Sequence, residues 1–228
     1  GAFTAREGSS RFIPLDGEWA FSWFPDVELL PVESSAFPRS VRCRDTIRVP
    51  SCWQLYTERG YDAPNYINQD YPFPVDPPHL PDVIPAGLYR RSVTFTKFED
   101  MRYIINFDGV SSCFYLWVNG GFAGFSEVSH CVSQFDITDL IVSGRNTFEV
   151  LVVKWCTGSY MEDQDFFRLS GIFRSVYIFG RDIDSVSDIS VKTSLAGEDT
   201  AEFRTEISFY SGLPDVRYEL TAPNGEFV

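Results

Sequence analysis

The sequence predicts an all-β fold: a jelly-roll β-sandwich followed by part of an immunoglobulin-like β-sandwich. Three observations carry this. From Tyr89 onward, β-branched and aromatic residues recur with period two between turn residues. Glycine-bearing turns punctuate the short runs, and segments with helical character are scarce. At 228 residues and 26.0 kDa, the chain accommodates one or two domains, here placed at 1–182 and 183–228.

Taken in order, the segment from Pro72 to Pro85 carries prolines at 72, 74, 77, 78, 81 and 85. Fixed φ angles and missing donors predict a stiff loop running extended over the surface, not a strand. The runs 102–108 and 113–118 are apolar on both faces, so they read as central strands covered on each side. Asn119-Gly120-Gly121 suits the positive φ angles of a tight hairpin leading into 122–125. Ser143-Gly144-Arg145-Asn146 offers the same chemistry before 147–155, whose near-continuous apolar run predicts a fully buried strand. Beyond Asp184, three alternating runs follow at 188–195, 201–210 and 216–221. An immunoglobulin-like sandwich needs about seven strands, so three runs are expected to form only its first part.

Charge and composition narrow the function classes. Nineteen basic against 32 acidic residues give a formal charge of -13, which repels phosphate backbones and argues against a nucleic-acid partner. No stretch approaches the roughly 20 apolar residues of a membrane span. The five cysteines, Cys43, Cys52, Cys113, Cys131 and Cys156, form no C-x-x-C pair, and only His79 and His130 are available beside them. A zinc module is excluded on that spacing, and free buried thiols are expected. The opening Gly1-Ala2-Phe3-Thr4 lacks a basic, then apolar, leader pattern, so no signal peptide is expected there, and the compartment stays open between cytoplasm and periplasm.

Two stretches carry candidate chemistry. Glu162-Asp163-Gln164-Asp165, near Arg168 and Arg174, admits three readings. Paired carboxylates serve glycoside hydrolysis; oxygen donors suit a hard cation such as Na⁺, Mg²⁺ or Ca²⁺; and a surface turn pairs its acids with the two arginines. The run 65–71, Asn-Tyr-Ile-Asn-Gln-Asp-Tyr, combines amides and aromatics of the kind that bind sugars, although aromatics more often serve packing. His79 and His130 lie near no nucleophile motif, and no phosphate-binding glycine loop is present.

Leu15-Asp16-Gly17-Glu18-Trp19, Val49-Pro50-Ser51-Cys52-Trp53-Gln54 and Gly60-Tyr61-Asp62-Ala63-Pro64 with Tyr66 and Asn68 follow one another in a characteristic order. Phe107-Asp108-Gly109-Val110, Leu116-Trp117-Val118-Asn119-Gly120 and Phe135-Asp136 continue it. It ends on Gly158 to Asp165 and Arg168 to Arg174, where Phe166-Phe167 departs from the pattern. In these motifs, over about residues 11–181, the chain resembles the N-terminal domain of family 2 β-galactosidases. The resemblance implies a jelly-roll sugar-binding domain, then an immunoglobulin-like domain, then a TIM barrel with both catalytic glutamates outside these 228 residues. It further implies that Asn68 hydrogen-bonds the galactosyl group of a β-galactoside substrate and that Asp165 ligates Na⁺ beside the sugar's 6-hydroxyl, with Mg²⁺ an option for the catalytic domain. Retention of configuration, a homo-oligomer for the full-length protein, and inactivity of these residues without the barrel are expected. The rival readings are another family 2 glycosidase, a β-glucuronidase or β-mannosidase, or a free-standing carbohydrate-binding module.

Overall fold

The computed structural model describes residues 6–32, 37–68, 70–162, 165–198, 200–217 and 219–226. In chain order the first strands are β1 (Phe12–Pro14), β2 (Gly17–Phe24), β3 (Asp45–Val49), β4 (Tyr66–Ile67), β5 (Ala86–Phe95) and β6 (Met101–Phe107). They are followed by β7 (Val110–Ser111), β8 (Cys113–Val118), β9 (Gly121–Ser126), β10 (Ser133–Asp136) and β11 (Gly144–Val153). The last are β12 (Phe166–Phe167), β13 (Gly171–Ile172), β14 (Val176–Asp182), β15 (Val186–Leu195) and β16 (Ala201–Phe209). Among the described residues the only helical pieces are short 3-10 turns. The described residues form two compact units, parted after Gly180.

In the first unit, a six-stranded antiparallel sheet in the order β3-β2-β5-β11-β8-β9 faces a four-stranded one in the order β1-β14-β6-β10. Alternation dictates which side chains meet between them. Trp19 and Phe21 of β2, Phe148, Val150 and Val152 of β11, and Phe114 and Leu116 of β8 pack against Tyr103, Ile105 and Phe107 of β6 and Ile178 of β14. The intervening residues do not face water throughout. Leu151, Val153, Cys113, Ala86 and Leu88 form a second apolar cluster on the outer face of the large sheet, together with Leu30 and Val41. That double coverage explains why 113–118 and 147–153 read as apolar on both faces.

Charge pins the outer cover in place. The Arg90 guanidinium lies 2.7 Å from the fully buried Glu149 carboxylate, and donates to the carbonyls of Val41 at 3.0 Å and Pro38 at 2.9 Å. One cation therefore neutralises a buried anion on β11 and satisfies carbonyls of the 38–41 segment laid over the sheet.

Turn chemistry is obeyed at Asn119 and Gly120, with φ of 52° and 83°, which close the β8–β9 hairpin. Gly144 also has a positive φ, 111°, but its turn makes no hairpin. β10 and β11 lie in different sheets, so the turn is a crossover, and β11 pairs with β5 and β8 instead. The segment 72–85 contains no strand, as expected. Its extended course is broken by a turn in which the His79 amide donates to the Asp76 carbonyl at 2.9 Å.

The second unit is a hairpin of β15 and β16, paired from Val186↔Phe209 to Leu195↔Ala201. The third expected run, 216–221, forms no strand among its described residues. Its Val216 and Leu220 are exposed, so the period-two pattern has no buried face to enforce it.

Of the expected buried thiols, Cys52, Cys113 and Cys156 are buried, Cys43 is half-buried and Cys131 is exposed. All five are free.

Candidate functional site

The small ladder of β4 with β12 brings the two sequence-predicted site residues together. Phe166 pairs with Ile67 and Phe167 with Tyr66 in antiparallel register. Continued by one residue, that register sets Asp165 across from Asn68, and both are exposed. The Tyr66 hydroxyl donates to Asp165 Oδ1, which holds the carboxylate beside the ladder. The same bond raises the Tyr66 pKa above its ordinary value, because ionising the phenol would place two anions together. The rings of Tyr66 and Phe167 lie 5.2 Å apart on the ladder's exposed surface. A carboxylate, an amide and aromatic faces are thus presented to solvent in one place.

Beneath this surface lies a polar scaffold. Gln54, 1% exposed, donates to Asp62 Oδ2 at 2.9 Å and accepts from the Ser170 amide at 2.8 Å. Asp62 also pairs with Lys154, whose side chain is 6% exposed, and Lys154 lies 5.1 Å over the Trp155 ring. One glutamine and one ion pair therefore fasten the 60–68 segment, the end of β11 and the 165–171 segment to one another. Backbone bonds complete the frame: Arg168 to the Asn65 carbonyl at 3.0 Å, Trp53 to Ser170 at 3.1 Å, and Ser51 to Ile172 at 2.9 Å.

Gly171 is required where it stands. Its φ is +131°, and a Cβ there would meet the Tyr89 hydroxyl at 2.8 Å and the Ser51 carbonyl at 2.9 Å.

Tyr160, in the 3-10 turn Thr157–Met161, ties the proline-rich segment to the site's flank. Its hydroxyl donates to the His79 carbonyl, while its own carbonyl accepts from the Tyr71 hydroxyl at 2.6 Å. Phe73 packs edge-on against both Trp155 and Tyr160.

Of the acidic run, Asp163 and Gln164 lie outside the described residues, Glu162 is half-buried, and Asp165 engages Tyr66. Arg174 does not turn to these acids. It donates to the carbonyl of His130 at 3.2 Å and stacks 5.2 Å over the Phe173 ring. Among the described residues no three His, Cys, Asp or Glu side chains gather as a metal site. Asp165 offers a single hard oxygen donor, which suits Na⁺ as one ligand among several. The Gln54–Asp62–Lys154 scaffold escaped sequence reasoning, although a lysine closing the apolar run of β11 was its signal.

Residues 12–181 match the family described as glycosyl hydrolases family 2, sugar binding domain. The chain belongs to that family. It is 40% identical over 228 residues to a β-galactosidase of Staphylococcus xylosus, and 39% identical over 221 residues to one of Actinobacillus pleuropneumoniae. Those alignments cover 99% and 96% of the chain, which spans only 22% and 21% of these relatives' own lengths. Among solved structures, a putative β-galactosidase from Bacteroides fragilis matches with a TM-score of 0.66 at 17% identity, covering 95% of this chain and 32% of that one. A β-glucuronidase from an uncultured Clostridium matches with a TM-score of 0.63 at 21% identity, covering 88% and 34%. At such identities these two structures show a shared fold.

Proposed function

We propose that these residues form the N-terminal, non-catalytic part of a β-galactosidase that hydrolyses terminal β-galactosides with retention. The observation that carries the reading is the juxtaposition of Asn68 and Asp165 across the β4–β12 ladder, exposed above a rigid buried scaffold. The named relatives, similar over nearly the whole chain, support the substrate class.

In this reading the site is composite. Asn68 carries an amide that donates to and accepts from sugar hydroxyls. Tyr66 holds the Asp165 carboxylate toward the same space. Asp165 contributes one oxygen ligand to Na⁺, with the others supplied from outside the described residues. Bound there, Na⁺ supplies a fixed positive charge that orients a sugar hydroxyl. The acid and the nucleophile lie in a barrel beyond this chain, as does any Mg²⁺ site. Without that barrel these residues bring no acid–nucleophile pair and do not turn over substrate. The full-length protein assembles as a homo-oligomer.

The test is hydrolysis of nitrophenyl β-galactoside, β-glucuronide and β-mannoside by the full-length protein, with Na⁺ and with Na⁺ replaced by choline. Turnover of the galactoside that falls when Na⁺ is removed, with the fall abolished in Asp165→Ala, is the expected result. A preference for either other glycoside overturns the substrate class. A Na⁺ response retained in Asp165→Ala overturns the ligand assignment.

A further inference from the structure

Cys113 opens β8, and Cys156 follows β11 by three residues. The two strands are paired, with Val153 opposite Cys113, so the register brings the two thiols to the same end of the large sheet. There both thiols join one buried apolar cluster, the Cys113 thiol donating to the Val153 carbonyl at 3.9 Å. Cys156 Sγ also lies 3.0 Å from the Ser112 hydroxyl and 3.9 Å from that of Ser159, whose oxygen accepts from the Cys156 amide at 3.1 Å. Two hydroxyls therefore flank one sulfur. Neither thiol is sealed in the core. Though only 3% and 6% exposed, both line a cavity of about 640 Å³ on the outer face of the large sheet, walled by Tyr115, Trp117, Trp155 and Glu127. Its size admits a small reagent.

We propose that Cys156 and Cys113 form a peroxide-reactive thiol pair, with Cys156 the attacking sulfur and Cys113 the resolving one. Cys156 suits the first role electronically. The adjacent Cys113 thiol, helped by the Ser112 and Ser159 hydroxyls, outweighs burial and holds its pKa below the ordinary thiol value. Cys113 is shifted the other way, first by that contact with Cys156 and then by burial. The charges of Glu127 and Glu162 also raise Cys113.

The chemistry balances with hydrogen peroxide as the named oxidant. The Cys156 thiolate attacks one peroxide oxygen, the O–O bond breaks, hydroxide leaves, and Cys156 becomes a sulfenic acid. The Cys113 sulfur then attacks the sulfenic sulfur, an S–S bond forms, the S–O bond breaks, and the oxygen departs as water carrying the Cys113 proton. Peroxide gains two electrons and the thiol pair loses two.

The experiment treats the full-length protein with one equivalent of hydrogen peroxide, alkylates the remaining thiols with iodoacetamide, and maps unreduced peptides by mass spectrometry. A peptide pair joined through Cys113 and Cys156, two hydrogens lighter than the separate peptides, is the expected product. In Cys113→Ser, a sulfenic-acid-selective diketone should label Cys156. In untreated wild-type protein, iodoacetamide should modify Cys156 at least about tenfold faster than Cys52, which is equally buried but whose pKa burial raises to about 11. The proposal is overturned if exposed Cys131 is consumed while Cys113 and Cys156 remain separately alkylatable, or if Cys52 and Cys156 react at equal rates. The wild-type readouts stand whether or not the variant folds.

Discussion

At Tyr66 a single bond to Asp165 does two things: it aims a carboxylate and it keeps a phenol protonated. A tyrosine whose folded pKa is raised contributes stability below the unfolded value near 10, and that contribution is lost as pH climbs through the folded value. Replacing Asp165 by Asn should therefore bring the Tyr66 titration back toward 10, read by ultraviolet difference spectroscopy against Tyr66→Phe; an unchanged titration would mean that the bond is absent in solution. Lys154 is bound more deeply. Removing it as Lys154→Ala leaves the largely buried Asp62 carboxylate with only the Gln54 amide, a change that should cost about 3 kcal/mol in urea unfolding. Gly171→Ala combines a disfavoured φ with contacts below 3 Å to a backbone carbonyl and a tyrosine hydroxyl, and should destabilise by about 2 to 4 kcal/mol in the same assay.

Elements inherit their positions from these bonds. The ladder of β4 and β12 is only two residues long, too short to hold by itself, and is fixed by the Gln54 and Lys154 contacts at its base. Tyr160 is one anchor of the 72–85 segment, and Tyr160→Phe removes its hydroxyl bond to the His79 carbonyl. Limited proteolysis of that variant should cut within 72–85 several-fold faster than wild type, whereas an equal rate would show that the Phe73 packing and the prolines hold the segment without that bond. Local chemistry made several elements legible in the sequence. Asn119-Gly120 declared its hairpin, and apolar runs on both faces declared 113–118 and β11, because each signal acts within a few residues. Gly144 declared its positive φ, but not that the chain crosses sheets there. The run 216–221 alternated convincingly, yet with Val216 and Leu220 exposed it gained no strand among its described residues. Residue types pointed to the stretches 65–71 and 162–165, and motif resemblance singled out Asn68 and Asp165 within them. The register that sets Asn68 opposite Asp165 joins segments distant in sequence, and no periodicity encodes it.

For the whole molecule, the decisive fact is proportion. The chain, a well-packed sandwich with an exposed polar corner and a second, hairpin-bearing unit, spans about a fifth of the length of its β-galactosidase relatives. Among its described residues no helix is long and apolar enough to cross a membrane. In the proposed reading the corner's carboxylate and amide serve recognition, and the chemical step belongs to residues elsewhere. That division of labour is the central claim, and a double-mutant cycle tests it most directly: kcat/KM for nitrophenyl β-galactoside measured in the full-length protein as wild type, Asn68→Ala, Asp165→Ala and the double variant, beside their urea stabilities. The account predicts losses of about 1 to 3 kcal/mol of transition-state binding for each single variant, a double loss smaller than their sum because the two residues share one substrate, an unchanged unfolding midpoint for Asn68→Ala, and for Asp165→Ala no more than the small drop from losing the exposed Tyr66 bond. Full activity in both single variants, or losses that track lowered stability, would contradict it.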